Sequence, residues 1–312
     1  MQTAAVIMKG PGALSVDRAE LRTPGDGDLL IDVEWSGISA GTERLFWSGR
    51  MPQFPGMGYP LVPGYETVGR VASAPDSAGI AVGARVFVPG ARAFTDVRNL
   101  FGGSAQRLVV ESSRVVQVPE PLAEQSALLA LAATAHHAAP LGQPAPELIV
   151  GHGALGRLLA RLAMLAGGPP PVVWERHAGR REGASGYSVI DPSEDGCRSY
   201  NRICDVSGST GVLDELVGRL APGGEIVLAG FYEEPLSFAF PPAFMRELRL
   251  RVAAQWQAAD LAAVAGLVAN GRLSLDGIIT HVTAARDAAT AYRQAFEDPG
   301  CLKMVLDWRA FP

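Results

Sequence analysis

The run Leu148-Ile149-Val150-Gly151-His152-Gly153-Ala154-Leu155-Gly156 places three glycines in a Gly-x-Gly-x-x-Gly spacing directly after an apolar stretch. Each glycine has a separate chemical use. Gly151 permits a tight turn, Gly153 leaves the backbone open to a pyrophosphate, and Gly156 lets a following helix press on the preceding strand. The first N–H groups of that helix, around Ala154 and Leu155, would point at the phosphates, and His152 sits within the turn. A second apolar stretch, Val172–Trp174, ends at Glu175. This is close to the ~20-residue offset at which a carboxylate accepts hydrogen bonds from ribose hydroxyls. Together these features predict a dinucleotide site. Glu175 would repel a 2′-phosphate, so NAD is the expected cofactor. Arg176, Arg180 and Arg181 follow closely and could instead hold such a phosphate or form a solvated loop.

The elements that must position this turn follow from the pattern around it. Before residue 120, short β-like runs lie between glycines and prolines: Ala4–Met8, Leu29–Trp35, Glu66–Ala72, Arg85–Val88, Ala105–Val110 and Val115–Val118. Regularly spaced short strands of this kind predict a small, rolled all-β domain. From Ala123 to Ala139 the chain is Ala/Leu-rich and helix-forming, and beyond it strands are expected to alternate with helices. That alternation predicts βαβ units and a parallel sheet buried on both faces. Its strands are expected at Leu148–Val150, Val172–Trp174, Tyr187–Ile190, Ile203–Val206, Glu225–Ala229 and Arg249–Ala253, with helices at Leu155–Leu165 and Ala259–Ala269. Gly277–His281, a helix over Ala284–Phe296 and a strand over Leu302–Asp307 close the chain. Ligands of such sheets lie beyond the carboxyl ends of the strands, so Ser207 and Gly230 should border the cofactor.

Composition narrows the function classes. The 312 residues carry 27 Lys and Arg against 32 Asp and Glu, a net charge of −5, which argues against nucleic acid as the main partner. The longest apolar stretch, Ala127–Ala135, is far short of the ~20 residues that span a bilayer. Cys197, Cys204 and Cys301 have neither metal spacing nor an even count, so a reduced cytoplasmic compartment is expected. The segment Phe46–Tyr59 holds Phe46, Trp47, Met51, Phe54, Met57 and Tyr59, with Arg44 and Arg50 beside them. These side chains would either plug a local core or wall a large flat apolar ligand, with Trp47, Phe54, Tyr59 and Arg50 touching it. His136 and His137 lie on the Ala-rich helical stretch, and imidazole titrates in the range a general base needs. His137 is the candidate carried forward.

The whole chain resembles the medium-chain dehydrogenase/reductase superfamily. The similarity rests on Trp35-Ser36-Gly37-Ile38-Ser39-Ala40-Gly41-Thr42-Glu43, on Pro60-Leu61-Val62-Pro63-Gly64-Tyr65-Glu66-Thr67-Val68-Gly69 and on Val82-Gly83-Ala84-Arg85-Val86, together with the glycine turn. It implies a GroES-like β-barrel catalytic domain over residues 1–120, to which 270–312 return, and a Rossmann doubly wound parallel sheet over 121–269. The departures carry equal weight. Where zinc alcohol dehydrogenases have a Cys ligand stands Ser39 or Ala40, the His ligand is replaced by Tyr65, and the third ligand falls near Ala130. Zinc takes Cys, His or carboxylate ligands, so a zinc-free member with no metal site is expected.

Within that group, Ser-Gly-Ile-Ser-Ala-Gly-Thr-Glu, Pro-Gly-Tyr-Glu, Val-Gly-His-Gly-Ala-Leu-Gly-Arg and the Phe46–Tyr59 segment resemble the bacteriochlorophyllide a dehydrogenase family. The resemblance implies oxidation of a 3-(1-hydroxyethyl) group to 3-acetyl on a bacteriochlorophyllide, a magnesium tetrapyrrole, with NAD as hydride acceptor. It also admits a homo-oligomer. Without zinc a protein group must take the hydroxyl proton. Tyr65, at the lost ligand position, is one candidate base, but a phenol with a pKa near ~10 would need a cationic neighbour. Glu66 could tune the site, and Ser39, Thr42 and Glu43 could hydrogen-bond within it. Two rivals remain at this point: a zinc-free NAD(P)H quinone or enone reductase, and a non-catalytic protein that binds NAD and pigment.

Overall fold

In the strand Asp28–Ile38 the side chains of Leu29, Ile31, Val33 and Trp35 are all buried, the two-residue period of a strand with one face on a core. A computed structural model describes residues 1–311 and builds outward from this strand. On one side it pairs antiparallel with Thr67–Ser73, which continues to Arg85–Val88 and Val116–Gln117. On the other it pairs antiparallel with Met304–Asp307, which lies beside His281–Ala284; Arg107–Glu111 pairs with its first half. A smaller sheet of Gln2–Gly10, Ala13–Glu20, Leu61–Val62 and Arg98–Asn99 completes this unit. The unit comprises Met1–Ala130 and the chain from Ile278 onward, so the C-terminal return is an integral strand of the first sheet. Its division points fall later than the residues 120 and 269 that the resemblance implies.

The second unit, Leu131–Gly277, is a six-stranded parallel sheet. Its spatial order is Ser188–Ile190, Val172–Trp174, Leu148–Val150, Tyr200–Asp205, Leu220–Leu228, Arg249–Val252. Numbered along the chain this is 3-2-1-4-5-6, the doubly wound order whose direction reverses between Leu148–Val150 and Tyr200–Asp205. Leu148, Ile149, Ile203, Cys204, Ile226 and Val227 are buried almost completely, as a sheet covered on both faces requires.

Several elements differ from the sequence expectation. The helical stretch that leads into the second unit is 3₁₀ over Glu120–Leu128 and α-helical only over Leu129–Ala138. After Gly277–His281 a strand runs over His281–Ala284, and the α-helix expected over Ala284–Phe296 spans Ala288–Glu297. No α-helix joins Val172–Trp174 to Ser188–Ile190, or that strand to Tyr200–Asp205; single 3₁₀ turns at Ala178–Arg180 and Pro192–Glu194 do so. Backbone carbonyls that a helix would satisfy internally need other donors. Arg157 donates to the carbonyls of His152, Arg180 and Glu182, and Arg181 to those of Glu175 and Arg176. Side chains have replaced a crossover helix.

Candidate active site

The glycine turn is built as its spacing implies. Gly151 adopts φ +104°, a region L side chains rarely enter, and a Cβ on Gly156 would collide with the Gly151 carbonyl. Gly153 has open space where a Cβ would project. Behind it runs the helix Ala154–Leu165, whose N-cap Gly153 offers no side-chain cap. The N–H groups of Ala154, Leu155 and Gly156 therefore have no intrahelical acceptor, and the helix dipole favours an anion there. Glu175 stands over the turn: its Oε2 accepts from the His152 N–H at 3.1 Å and its Oε1 from the His177 N–H at 2.9 Å. A phosphate–ribose unit fits these donors and this acceptor.

His152 does not present its ring to a ligand. The imidazole is fully buried; Nδ1 lies 2.6 Å from the Arg180 carbonyl and Nε2 2.8 Å from the Tyr187 hydroxyl. A carbonyl can only accept, so Nδ1 carries the proton and Nε2 accepts from Tyr187. Burial pushes the imidazole pKa down, in keeping with that neutral form. Its contribution to the turn is its backbone. Ser207 and Gly230 follow the carboxyl ends of two neighbouring strands. Buried Asp205 joins them by accepting from the Ser207 N–H at 2.9 Å, while its own carbonyl accepts from the Gly230 N–H at 3.1 Å. Arg181 is spent on loop carbonyls and on Asp191 at 2.5 Å, and exposed Arg176 sits 3.8 Å from Glu215.

His136 and His137 also belong to this unit. Their Nδ1 atoms grip the two oxygens of Asp260 at 2.7 and 2.8 Å. Burial alone would raise the Asp260 carboxyl, but the Gln257 N–H and both imidazoles outweigh it and hold the pKa below its usual value. His137 thus pins the helix Leu129–Ala138 to the start of Ala258–Ala269, a structural duty the sequence did not reveal.

In the first unit a second cluster gathers hydroxyls and carboxyls. Ser39 Oγ and Tyr65 OH are 2.7 Å apart, and Thr42 Oγ1 is 3.5 Å from the same phenol oxygen. Tyr65 is half-buried, with its ring edge-on to Phe101. Burial pushes its pKa up, and Glu66 and Glu43 push the same way. No cation is among the main influences on it, and burial with the two carboxylates favours the neutral phenol. Glu66 is fully buried, its Oε2 against the Lys303 ammonium and its Oε1 without a hydrogen-bond partner among the described residues. Gly37 makes room for this ion pair, since a Cβ there would run into the Glu66 carboxylate and lie 3.1 Å from Lys303 Cε. Glu43 is buried too. Its Oε2 accepts from Tyr292 OH at 2.6 Å and its Oε1 from the Ser39 N–H at 3.3 Å.

The aromatic segment divides between the two readings. Phe46 and Met51 are core residues, and partly buried Met57 and Tyr59 pack against that core. The Tyr59 hydroxyl is donated to the Phe46 carbonyl, and half-buried Trp47 rests 6.3 Å from Phe296. Phe54 and Arg50 are exposed. Among the described residues no group of three or more His, Cys, Asp or Glu side chains is arranged to hold a metal ion. Tyr292 and Lys303, absent from the sequence reading, reach the cluster only through the C-terminal return.

Residues 25–120 match the alcohol dehydrogenase GroES-like domain family. Over 99% of both chains, the protein is 58% identical to 2-desacetyl-2-hydroxyethyl bacteriochlorophyllide A dehydrogenase of Rhodobacter capsulatus and 55% identical to that of Cereibacter sphaeroides. The chain belongs to the bacteriochlorophyllide A dehydrogenase family. Solved structures share its fold. A dehydrogenase of Sinorhizobium meliloti bound to NADP matches with TM-score 0.82 at 22% identity, covering 98% of this chain and 99% of that one. An Escherichia coli alcohol dehydrogenase complexed with NADH matches with TM-score 0.83 at 22% identity and the same coverage. Family membership makes the chain an oxidoreductase of the dehydrogenase class and sets aside the reductase and non-catalytic readings.

Proposed function

We propose that the protein oxidises the hydroxyethyl side chain of a bacteriochlorophyllide to acetyl, using NAD and no zinc. The carrying observation is the identity of 58% over nearly the whole chain to a relative named for that substrate. Held at the Gly151–Gly156 turn and by Glu175, NAD would supply the hydride acceptor for the carbinol carbon. The chain's own residues handle the rest. Ser39 and Tyr65 hydroxyls hydrogen-bond the carbinol and relay its proton through Thr42 to solvent water, which takes it up, a role that needs no tyrosinate. Ser39 or Ala40, Tyr65 and Ala130 replace the donors a zinc ion would require, which supports proton handling by hydroxyls.

NAD is favoured over NADP because the Glu175 carboxylate stands where a 2′-phosphate would be repelled, and Arg181 is committed to loop carbonyls. Trp47 and Phe54 offer aromatic surface for the macrocycle, and Arg50 a cation for a carboxylate side chain. Among the described residues no helix is long and apolar enough to cross a membrane. The free thiols of Cys197, Cys204 and Cys301 support a reduced, cytoplasmic setting. A second copy is the expected partner at the open edge of Arg249–Val252, where Phe240, Phe244, Met245 and Val252 are exposed.

The test is direct. Hydroxyethyl bacteriochlorophyllide incubated with NAD should yield acetyl pigment and NADH in equal amounts, and metal analysis of the active enzyme should show no stoichiometric zinc. Pigment left unchanged, or activity lost to a chelator and restored by zinc, overturns the respective part of the proposal.

A further inference from the structure

Glu43 has no place in the proton path just described, yet the cluster is arranged around it. Its carboxyl is buried and held from two directions, by Tyr292 from the helix Ala288–Glu297 and by the Ser39 N–H from the turn before its own helix, Thr42–Ser48. Tyr292 is in turn buttressed: its hydroxyl contacts Ser104, whose Oγ lies 3.2 Å from Ser36 Oγ, and Trp308 Nε1 donates to Ser36 Oγ at 2.9 Å. The C-terminal return therefore grips Glu43, and Glu43 grips the backbone of Ser39. On the far side of that same residue, Ser39 Oγ meets Tyr65.

We propose that Glu43, clasped by Tyr292, is the positioning residue of alcohol oxidation, holding the Ser39 backbone so that the Ser39 and Tyr65 hydroxyls stay paired in the geometry the carbinol needs. This rests on the reading of Ser39 and Tyr65 as the carbinol-binding pair. Its consequence is electrostatic as well as geometric. The charged and titratable groups facing Glu43 are Glu66, Lys303, Tyr65 and Tyr292. Burial is the main force that raises the Glu43 pKa to about 8; Glu66 adds to it, while Tyr292, Lys303 and the Ser39 N–H oppose it. Below that pH Glu43 is a neutral acid. Above it, a second carboxylate charge appears beside the hydroxyls, where negative charge must develop on the substrate oxygen as its proton leaves.

The experiment compares wild type, Glu43→Gln and Tyr292→Phe with hydroxyethyl bacteriochlorophyllide and NAD across pH, recording kcat and KM separately. Wild-type kcat should show a falling inflection near pH 8. Glu43→Gln, which keeps the acceptor for Ser39 but cannot ionise, should lack that inflection. Tyr292→Phe removes a hydrogen bond that favours the carboxylate, so its inflection should move to higher pH. Loosening of Ser39 in that variant should lower kcat by about tenfold to a hundredfold, with KM for pigment little changed. Infrared difference spectra of the unliganded protein supply a readout free of turnover: a protonated-carboxyl band that fades as pH passes about 8 and is missing in Glu43→Gln. Absence of pigment turnover by wild type overturns the proposed function. Turnover whose inflection persists in Glu43→Gln, a Tyr292→Phe enzyme with unaltered kcat and profile, or a wild type without the infrared band overturns this inference.

Discussion

The nucleotide turn and the hydroxyl cluster are built from opposite materials. The turn uses backbone: N–H groups of Ala154, Leu155 and Gly156, glycines where side chains would intrude, and Glu175 about twenty residues on. The cluster uses side chains from Ser39, Glu43, Tyr65 and Glu66 together with Tyr292 and Lys303, which are remote in sequence and mostly buried. A backbone site withstands loss of a side chain with a local effect on ligand affinity. A buried polar cluster does not, because each group removed leaves a partner desolvated and unpaired.

That contrast is broken or sharpened by three single substitutions and one double. Lys303→Met should have the largest effect, destabilising the protein by about 3–5 kcal/mol, since it strands a buried Glu66 carboxylate. Adding Glu66→Gln should recover part of that loss in urea unfolding. Equal stability of Lys303→Met and wild type would mean that the pair does not support the fold. Tyr65→Phe should reduce turnover by about a hundredfold and destabilise the protein by only about 1–2 kcal/mol, because the half-buried phenol is lost from Ser39 and, at 3.5 Å, from Thr42. A wild-type rate would remove Tyr65 from the reaction. Glu175→Ala should be mildest, weakening NAD by about tenfold and NADP by less, as read by fluorescence titration. Equal losses for both nucleotides would argue that Glu175 supports the turn without reading the ribose.

The two regions also differed in how much of them could be read from the chain. Gly151–Gly156 was legible because a tight turn, a close approach and a helix start are all short-range requirements of backbone geometry. The parallel strands at Leu148–Val150 and Val172–Trp174 were legible for a related reason, since strands buried on both faces must be continuously apolar. The crossovers after Trp174 were not. Arg157, Arg181 and His152 satisfy carbonyls there, and arginines near a nucleotide turn look the same on paper whether they bind phosphate or backbone. The partner of His137 was not legible either: an imidazole on an Ala-rich helix gives no sign that Asp260 will meet it 123 residues later.

The chain by itself determined the glycine turn, the two-part architecture and the absence of zinc ligands at the expected positions, because these depend on residue type and local spacing. Tertiary structure alone decided that Tyr65 is a neutral phenol, that Glu66 is neutralised by Lys303 and that Glu43 is held by Tyr292. Those outcomes depend on desolvation and on which charges meet across a sheet, and they arise only when Met304–Asp307 pairs with Asp28–Ile38 and carries the returning chain into the first unit's core.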